Sequence, residues 1–131
     1  MTESANAKVL TAAERAKIAN TNSEAPLDVL DADYNMTAAD LNRRSIRLIA
    51  TVDRDINLPA GAAAINGKRQ TFIQAGAGRV ILNAETGDTL VSTGEDQILS
   101  GSLFAAITLE YMHATRTWIG ISALGKWGTP T

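Results

Sequence analysis

Side chains able to do covalent chemistry are few in this chain and thinly spread. Asp53 and Asp55 lie two residues apart, a spacing that puts two carboxylates on one face of a strand, and such a pair can share acid and base work on a glycosidic bond. With Arg54 between them and a predicted turn beside them, however, they read as solvated rim charges. Asp28, Asp31 and Asp33 form a second acidic group that lacks the glycine and the terminal glutamate of a helix-loop-helix calcium site. The single histidine, His113, falls at the predicted tip of the last hairpin. One exposed imidazole supports neither a histidine metal cluster nor a Ser-His-Asp arrangement, although loop tips are where binding contacts concentrate. With no cysteine, disulfides, thiolate metal sites and a thiol nucleophile are excluded.

The glycine-rich stretches do not read as phosphate loops. Between Gly61 and Gly67 there are five residues where a phosphate-binding loop has four, and Arg69 stands where the hydroxyl after Lys68 is required. Gly76-Ala77-Gly78 is too short for a dinucleotide fingerprint and lies between two predicted strands, so its glycines read as turn residues. Asn35-Met36-Thr37 matches a glycosylation sequon but has meaning only on a secretory route. The expectation is a protein without catalytic residues, cofactor or metal, and not an enzyme.

The elements that must position these residues follow from pattern. At 131 residues the chain suits one domain plus an arm, and a globular part of this size buries roughly two-thirds of its unfolded surface. A net charge of −2 and a pI near 5.3, with only Arg43-Arg44 and Lys68-Arg69 adjacent, argue against nucleic acid as a partner. No stretch approaches the ~20 apolar residues of a membrane span, and the polar start lacks the apolar run of a secretory signal. Synthesis in the cytoplasm is the expectation.

Thr11-Ala12-Ala13-Glu14 fits a capping box, which predicts a short helix from Ala12 to about Ala19. An arm or edge strand follows over Glu24 to Tyr34, either crossing its own domain or gripping a neighbour. Residues 1–36 are thus read as helix and arm, and residues 37–131 as a β-domain. Thr37 to Asp40 predicts a capped turn anchored by Leu41. From Ser45 the apolar period becomes two: Ile46, Leu48, Ala50 and Val52 share an inward face, and so do Ile56 and Leu58 on a second strand beyond a turn at Asp53. Pro59 stops that strand, and Asn66-Gly67 predicts a hairpin turn. In the last hairpin Leu103, Ala105, Ile107, Leu109 and Tyr111 form one apolar face, with Phe104 and Ala106 apolar on the other. The return strand sets Ile119 and Ile121 on one face and Trp118 opposite, where a large aromatic needs a second cover, either a second sheet or a sister subunit. The fold class expected is mainly β, an antiparallel jelly-roll-like or sandwich domain behind a short N-terminal helix and extended arm.

From Tyr34 to Gly120 the order of features is Thr37-Ala38-Ala39-Asp40-Leu41, Leu58-Pro59-Ala60-Gly61, Asn66-Gly67, Gln74-Ala75-Gly76-Ala77-Gly78, Val80 with Glu85-Thr86-Gly87-Asp88, and a long hairpin carrying Trp118. This order resembles the small β-domains of tailed-phage fibre and head-decoration proteins. Leu10 to Ile18 is similar to the short helical linkers of phage tail-fibre chains. The resemblance implies a structural virion protein, usually a homotrimer, made in the host cytoplasm. Within that class a capsid-surface decoration, cement or head-fibre protein is expected, because the chain is too short for a shaft plus a receptor-binding tip. Its partner would be the major capsid protein, gripped by an arm carrying Leu10, Ile18, Leu27, Val29, Leu30 and Tyr34. Phe104, Ala106 and Trp118 are the expected subunit interface. The alternative is a tail-fibre piece binding host-surface glycan through Asn66, His113 and Trp127.

Overall fold

Buried residues at alternate positions mark most of the strands of this protein, and Pro59, Gly76, Gly101 and Gly125 follow closely on the ends of four of them. The computed structural model describes residues 22–91 and 97–128. Its elements are β1 (Leu27–Leu30), β2 (Tyr34–Asn35), a 3-10 turn at Ala38–Asn42, β3 (Ile46–Ile49) and β4 (Arg54–Asn57). A second 3-10 turn at Ala63–Ile65 precedes β5 (Arg69–Gln74), β6 (Val80–Asn83), β7 (Thr89–Leu90) and β8 (Gln97–Ser100). A long hairpin follows, β9 (Ala106–Met112) and β10 (Thr117–Leu124), and then β11 (Trp127–Gly128). Two sheets result, one in the order β1-β3-β5-β9-β10-β7 and the other β11-β8-β6-β4-β2. They stack as a β-sandwich, as the alternation implied.

The expected antiparallel pairing holds only for the later strands. From β1 to β6 the chain passes alternately between the sheets, and each pass lies parallel on the one before it: β1 on β3 on β5 in one sheet, β2 on β4 on β6 in the other. The predicted turns at Asp53 and Gly76 to Gly78, and the predicted hairpin turn at Asn66-Gly67, are therefore crossovers joining strands in opposite sheets. Glycine explains the third of these. The Gly78 N–H donates to the Ala50 carbonyl at 2.9 Å, a Cβ at Gly76 would come within 2.6 Å of the same oxygen, and a Cβ at Gly78 would overlap the Val52 carbonyl. These glycines let one crossover lie directly on the backbone of the previous one, so close approach is what fixes their type. Val52, expected inward, is part of the lower crossover and is 53% exposed.

Antiparallel pairing begins where β9 runs back along β5 and β8 along β6. The last hairpin forms as expected, with Trp118 opposite Tyr111 in register. Opposed residues share a face, so Trp118 joins the core beside Tyr111, their rings 5.0 Å apart, and both are 0% exposed. Ile119 is half-buried and Ile121 is 43% exposed, the reverse of the expected facing. A register shift between Gly120 and Ser122 leaves Ile121 out of the pairing.

The core comprises Leu41, Ile46, Leu48, Ile56, Leu58, Phe72, Val80, Leu82, Leu90 and Leu109 among others, each such buried side chain contributing about 1.5–3 kcal/mol. A buried polar link also ties the sheets together: the Ser100 hydroxyl donates to Gln74 Oε1 at 2.6 Å and accepts from the Val80 N–H at 2.8 Å. The Thr37 turn is a capping box as expected, with the Asp40 carboxylate accepting from the Thr37 N–H at 3.0 Å and Leu41 buried beneath it. The helix expected over residues 12–19 lies outside the described residues.

Candidate assembly surface

In a strand, alternate residues face outward, and the pairing register lines them up across the sheet. On the outer face of the six-stranded sheet, Leu30 lies opposite Ile49, Arg47 opposite Ile73, Ile73 opposite Ala106, and Ala106 opposite Leu124. Leu103 and Phe104 lead into β9 at the same end, where the Phe104 N–H donates to the Gln74 carbonyl at 2.7 Å. An apolar belt therefore crosses β1, β3, β5, β9 and β10. Its exposed members are Leu30 at 68%, Ile49 at 40%, Leu103 at 53%, Phe104 at 63% and Leu124 at 69%. Phe104 is held at φ +64, a left-handed conformation that is uncommon for a residue with a bulky side chain.

Away from the belt, the same face is polar and internally paired. Arg47 Nε lies 2.6 Å from Asp28 Oδ1, Arg69 Nε lies 2.6 Å from Glu110 Oε1, and the Thr71 and Thr108 hydroxyls are 2.7 Å apart. The outer face of the five-stranded sheet is polar throughout one row. Asn57 Nδ2 donates to Asn35 Oδ1 at 2.6 Å, Asn83 Nδ2 to Asn57 Oδ1 at 3.0 Å, and Gln97 Nε2 to Asn83 Oδ1 at 2.6 Å. This amide ladder runs over β2, β4, β6 and β8 in register.

The candidate acid–base pair is committed to structure. Asp53 receives both Nε and Nη2 of Arg79, at 3.0 and 2.8 Å, together with the Arg79 N–H. These bonds hold its carboxyl below the usual range. Asp55 accepts from Asn83 Nδ2 at 3.0 Å. Asp28 pairs with Arg47, Asp31 pairs with Arg54 at 3.4 Å, and Asp33 accepts from the Asp55 N–H at 2.8 Å. Among the described residues no group of three or more potential metal ligands occurs.

At the other end of β9 a polar cluster fixes the hairpin tip. The wholly buried Asp88 carboxylate accepts from the Gly61 N–H at 2.9 Å and pairs with Arg116 Nη2 at 3.0 Å. Burial, and then the Asp88 charge, push the Tyr111 hydroxyl up in pKa; it lies 3.4 Å from Asp88 and 3.3 Å from His113 Nδ1. A Cβ at Gly61 would overlap that hydroxyl, so glycine is required there. Because Tyr111 has no exposed surface, the cluster clamps the tip to the underlying coil.

The sequence-predicted residues divide among these regions. Asn66 and His113 do meet, the His113 N–H donating to Asn66 Oδ1 at 2.9 Å. Trp127 does not join them: its indole N–H donates to the Ala106 carbonyl at 3.1 Å, at the far end of β9, roughly 20 Å away for a seven-residue strand. The expected glycan constellation is therefore split. Of the expected interface, Phe104 and Ala106 lie in the belt, while Trp118 is buried within its own chain because the second sheet covers it. Of the expected arm, Leu10 and Ile18 lie outside the described residues. Val29 is buried in the core, Leu27 packs against it, and Tyr34 donates its hydroxyl to Asp40 at 2.8 Å. β1 and β2 are thus strands of the sandwich, held by parallel pairing, and of the arm residues described only Leu30 is fully available to a partner. Leu103, expected on the inward face with Leu109 and Tyr111, lies in the turn before β9 and is exposed. Ile49, Ile73 and Leu124 were not singled out by pattern: Ile49 follows inward Leu48 with no alternation to mark it, and Ile73 is outward on a strand whose inward positions are Gln70, Phe72 and Gln74, the reverse of the usual signal. No protein-family model matches the chain, and no curated protein matches it.

Proposed function

We propose that this protein is a structural component of a tailed-phage virion, a homotrimeric capsid decoration, cement or head-fibre protein that stabilises the shell by surface contact. The observation that supports this reading best is a division of labour among its residues. Groups able to catalyse are spent on internal bonds, Asp53 on Arg79 and Asp88 on Gly61 and Arg116, while large apolar side chains stand exposed. A contiguous exposed apolar patch is often a contact surface for another macromolecule. The glycine-punctuated motifs behind the phage resemblance fit the reading as well, because Gly61, Gly76 and Gly78 serve close packing in the fold.

In this reading the major capsid protein is met by the segment before Asn22, where Leu10 and Ile18 supply apolar side chains, since Leu27, Val29 and Tyr34 are used in the chain's own sandwich. Specific contact of this kind needs on the order of 1,000 Å² or more. The test is co-sedimentation of the full-length protein with purified heads of the phage that encodes it. Saturable binding to heads, lost when Leu10 and Ile18 are both changed to Asp, is expected. Absence of binding to heads would contradict the reading.

A further inference from the structure

We propose that the apolar belt on the outer face of the six-stranded sheet, Leu30, Ile49, Ile73, Leu103, Phe104 and Leu124, is the surface through which copies of this chain join one another. The inference rests on the structural-assembly reading above and deepens it by naming the surface and its occupant. Three observations carry it.

The first is extent. At the exposures given above, four large aliphatic side chains and one aromatic present an apolar area on the order of a few hundred Å² to solvent. That is the scale of the roughly 300–600 Å² that a typical monomer shows as its largest patch. Each partner contributes ~800 Å² to a stable interface. Belts turned toward a common three-fold axis, together with the rim residues around them, approach that size.

The second is charge. Among the described residues, the charged side chains that the strands carry on this face beside the belt are matched on their own chain, Arg47 by Asp28 and Arg69 by Glu110. A strongly acidic or basic partner finds no counter-charge there, whereas an identical neutral face meets no repulsion. The belt also runs out to an edge. β7 covers β10 only at Thr117 and Trp118, and the described residues put no strand beside Ile119–Leu124 on that side.

The third is Phe104. The Phe104 backbone bonds to Gln74, but its ring stands 63% exposed on left-handed backbone, where glycine or asparagine would fit that conformation more readily. Aromatic side chains of this kind are the usual anchors of an interface.

The chain contains no cysteine, so one introduced thiol reports contact directly. Full-length Leu124→Cys and Ala114→Cys proteins, the second carrying its thiol at the exposed hairpin tip, are treated with a short bis-maleimide reagent and resolved by denaturing electrophoresis. The belt variant is expected to give covalent dimer at several times the yield of the tip variant, and the excess should vanish when Phe104→Glu is added. Equal yields, or none from Leu124→Cys, overturn the belt as the joining surface; binding to heads is unaffected by that outcome and judges the virion reading separately. Should Leu124→Cys fold poorly, as shown by circular dichroism, Leu30→Cys at the opposite end of the belt gives the same two-way result.

Discussion

The two outer faces of the sandwich are made from the same strand geometry and finish in opposite states. On the five-stranded sheet, Asn35, Asn57, Asn83 and Gln97 bond to one another in a row, so the face closes on itself. On the six-stranded sheet, Leu30, Ile49, Phe104 and Leu124 stand in water with nothing described above them. The first face contributes to stability and needs no partner. The second costs solvation free energy in the isolated chain and recovers it only on contact. Burial of an apolar residue is therefore a poor guide to its purpose in this protein until the face it belongs to is known.

The largest effect should come from the interior that both faces share. Trp118→Ala removes a wholly buried indole packed at a tilt against Tyr111, and should lower unfolding free energy by about 3–5 kcal/mol in urea melts. A loss below about 1 kcal/mol would mean that Trp118 is not core. Next comes the ladder. Asn57→Ala breaks bonds to both neighbours and should cost roughly 1 kcal/mol while leaving native mass unchanged. A change in mass there would erase the distinction between the faces. Phe104→Gly should do the reverse, keeping monomer stability or raising it by up to about 1 kcal/mol as the positive φ becomes strain-free, while weakening self-association. Loss of stability with unchanged association would show that Phe104 serves its own chain.

The smallest effect is a pH dependence at the base of the polar side. Burial alone would raise the Asp40 carboxyl, but the Thr37 N–H, the Tyr34 hydroxyl and the Arg43 guanidinium outweigh it and hold its pKa below 3.8. A depressed folded-state value means stability that is complete above the unfolded carboxylate range and is lost as pH falls through that range toward the folded value. Thermal melts of wild type should therefore weaken as pH falls below about 4, and Asp40→Asn should flatten that slope. An unchanged slope would show that the turn at Ala38–Asn42 gains nothing from the charge.

Much of the fold was legible in the sequence because alternation writes itself in local pattern. Ile46, Leu48, Ile56, Leu58, Ile107, Leu109 and Tyr111 are inward as their spacing implies, and Thr37 with Asp40 caps a turn. Pairing direction was less legible. Asp53 and Gly76 to Gly78 look alike as hairpin turns or as crossovers, since both need small or polar residues, and only the close approach of Gly78 to Val52 in space separates the two. The facing of β10 was read from Ile119 and Ile121, whereas it is set by register against Tyr111, which turns Trp118 inward under the second sheet, the cover that the sandwich alternative offered. The belt was half legible. Phe104 and Ala106 betray themselves as apolar residues opposite an apolar face, but Leu30 and Leu124 become neighbours of Ile49 and Ala106 only through pairing between strands remote in sequence.

The claim that the six-stranded sheet's outer face is the working surface is tested most directly by native mass. Light scattering on the full-length protein should give a multiple of 13.8 kDa, and on Leu30→Glu/Phe104→Glu it should give 13.8 kDa with an unchanged circular dichroism spectrum. The same mass for both proteins, whether monomer or oligomer, would contradict it.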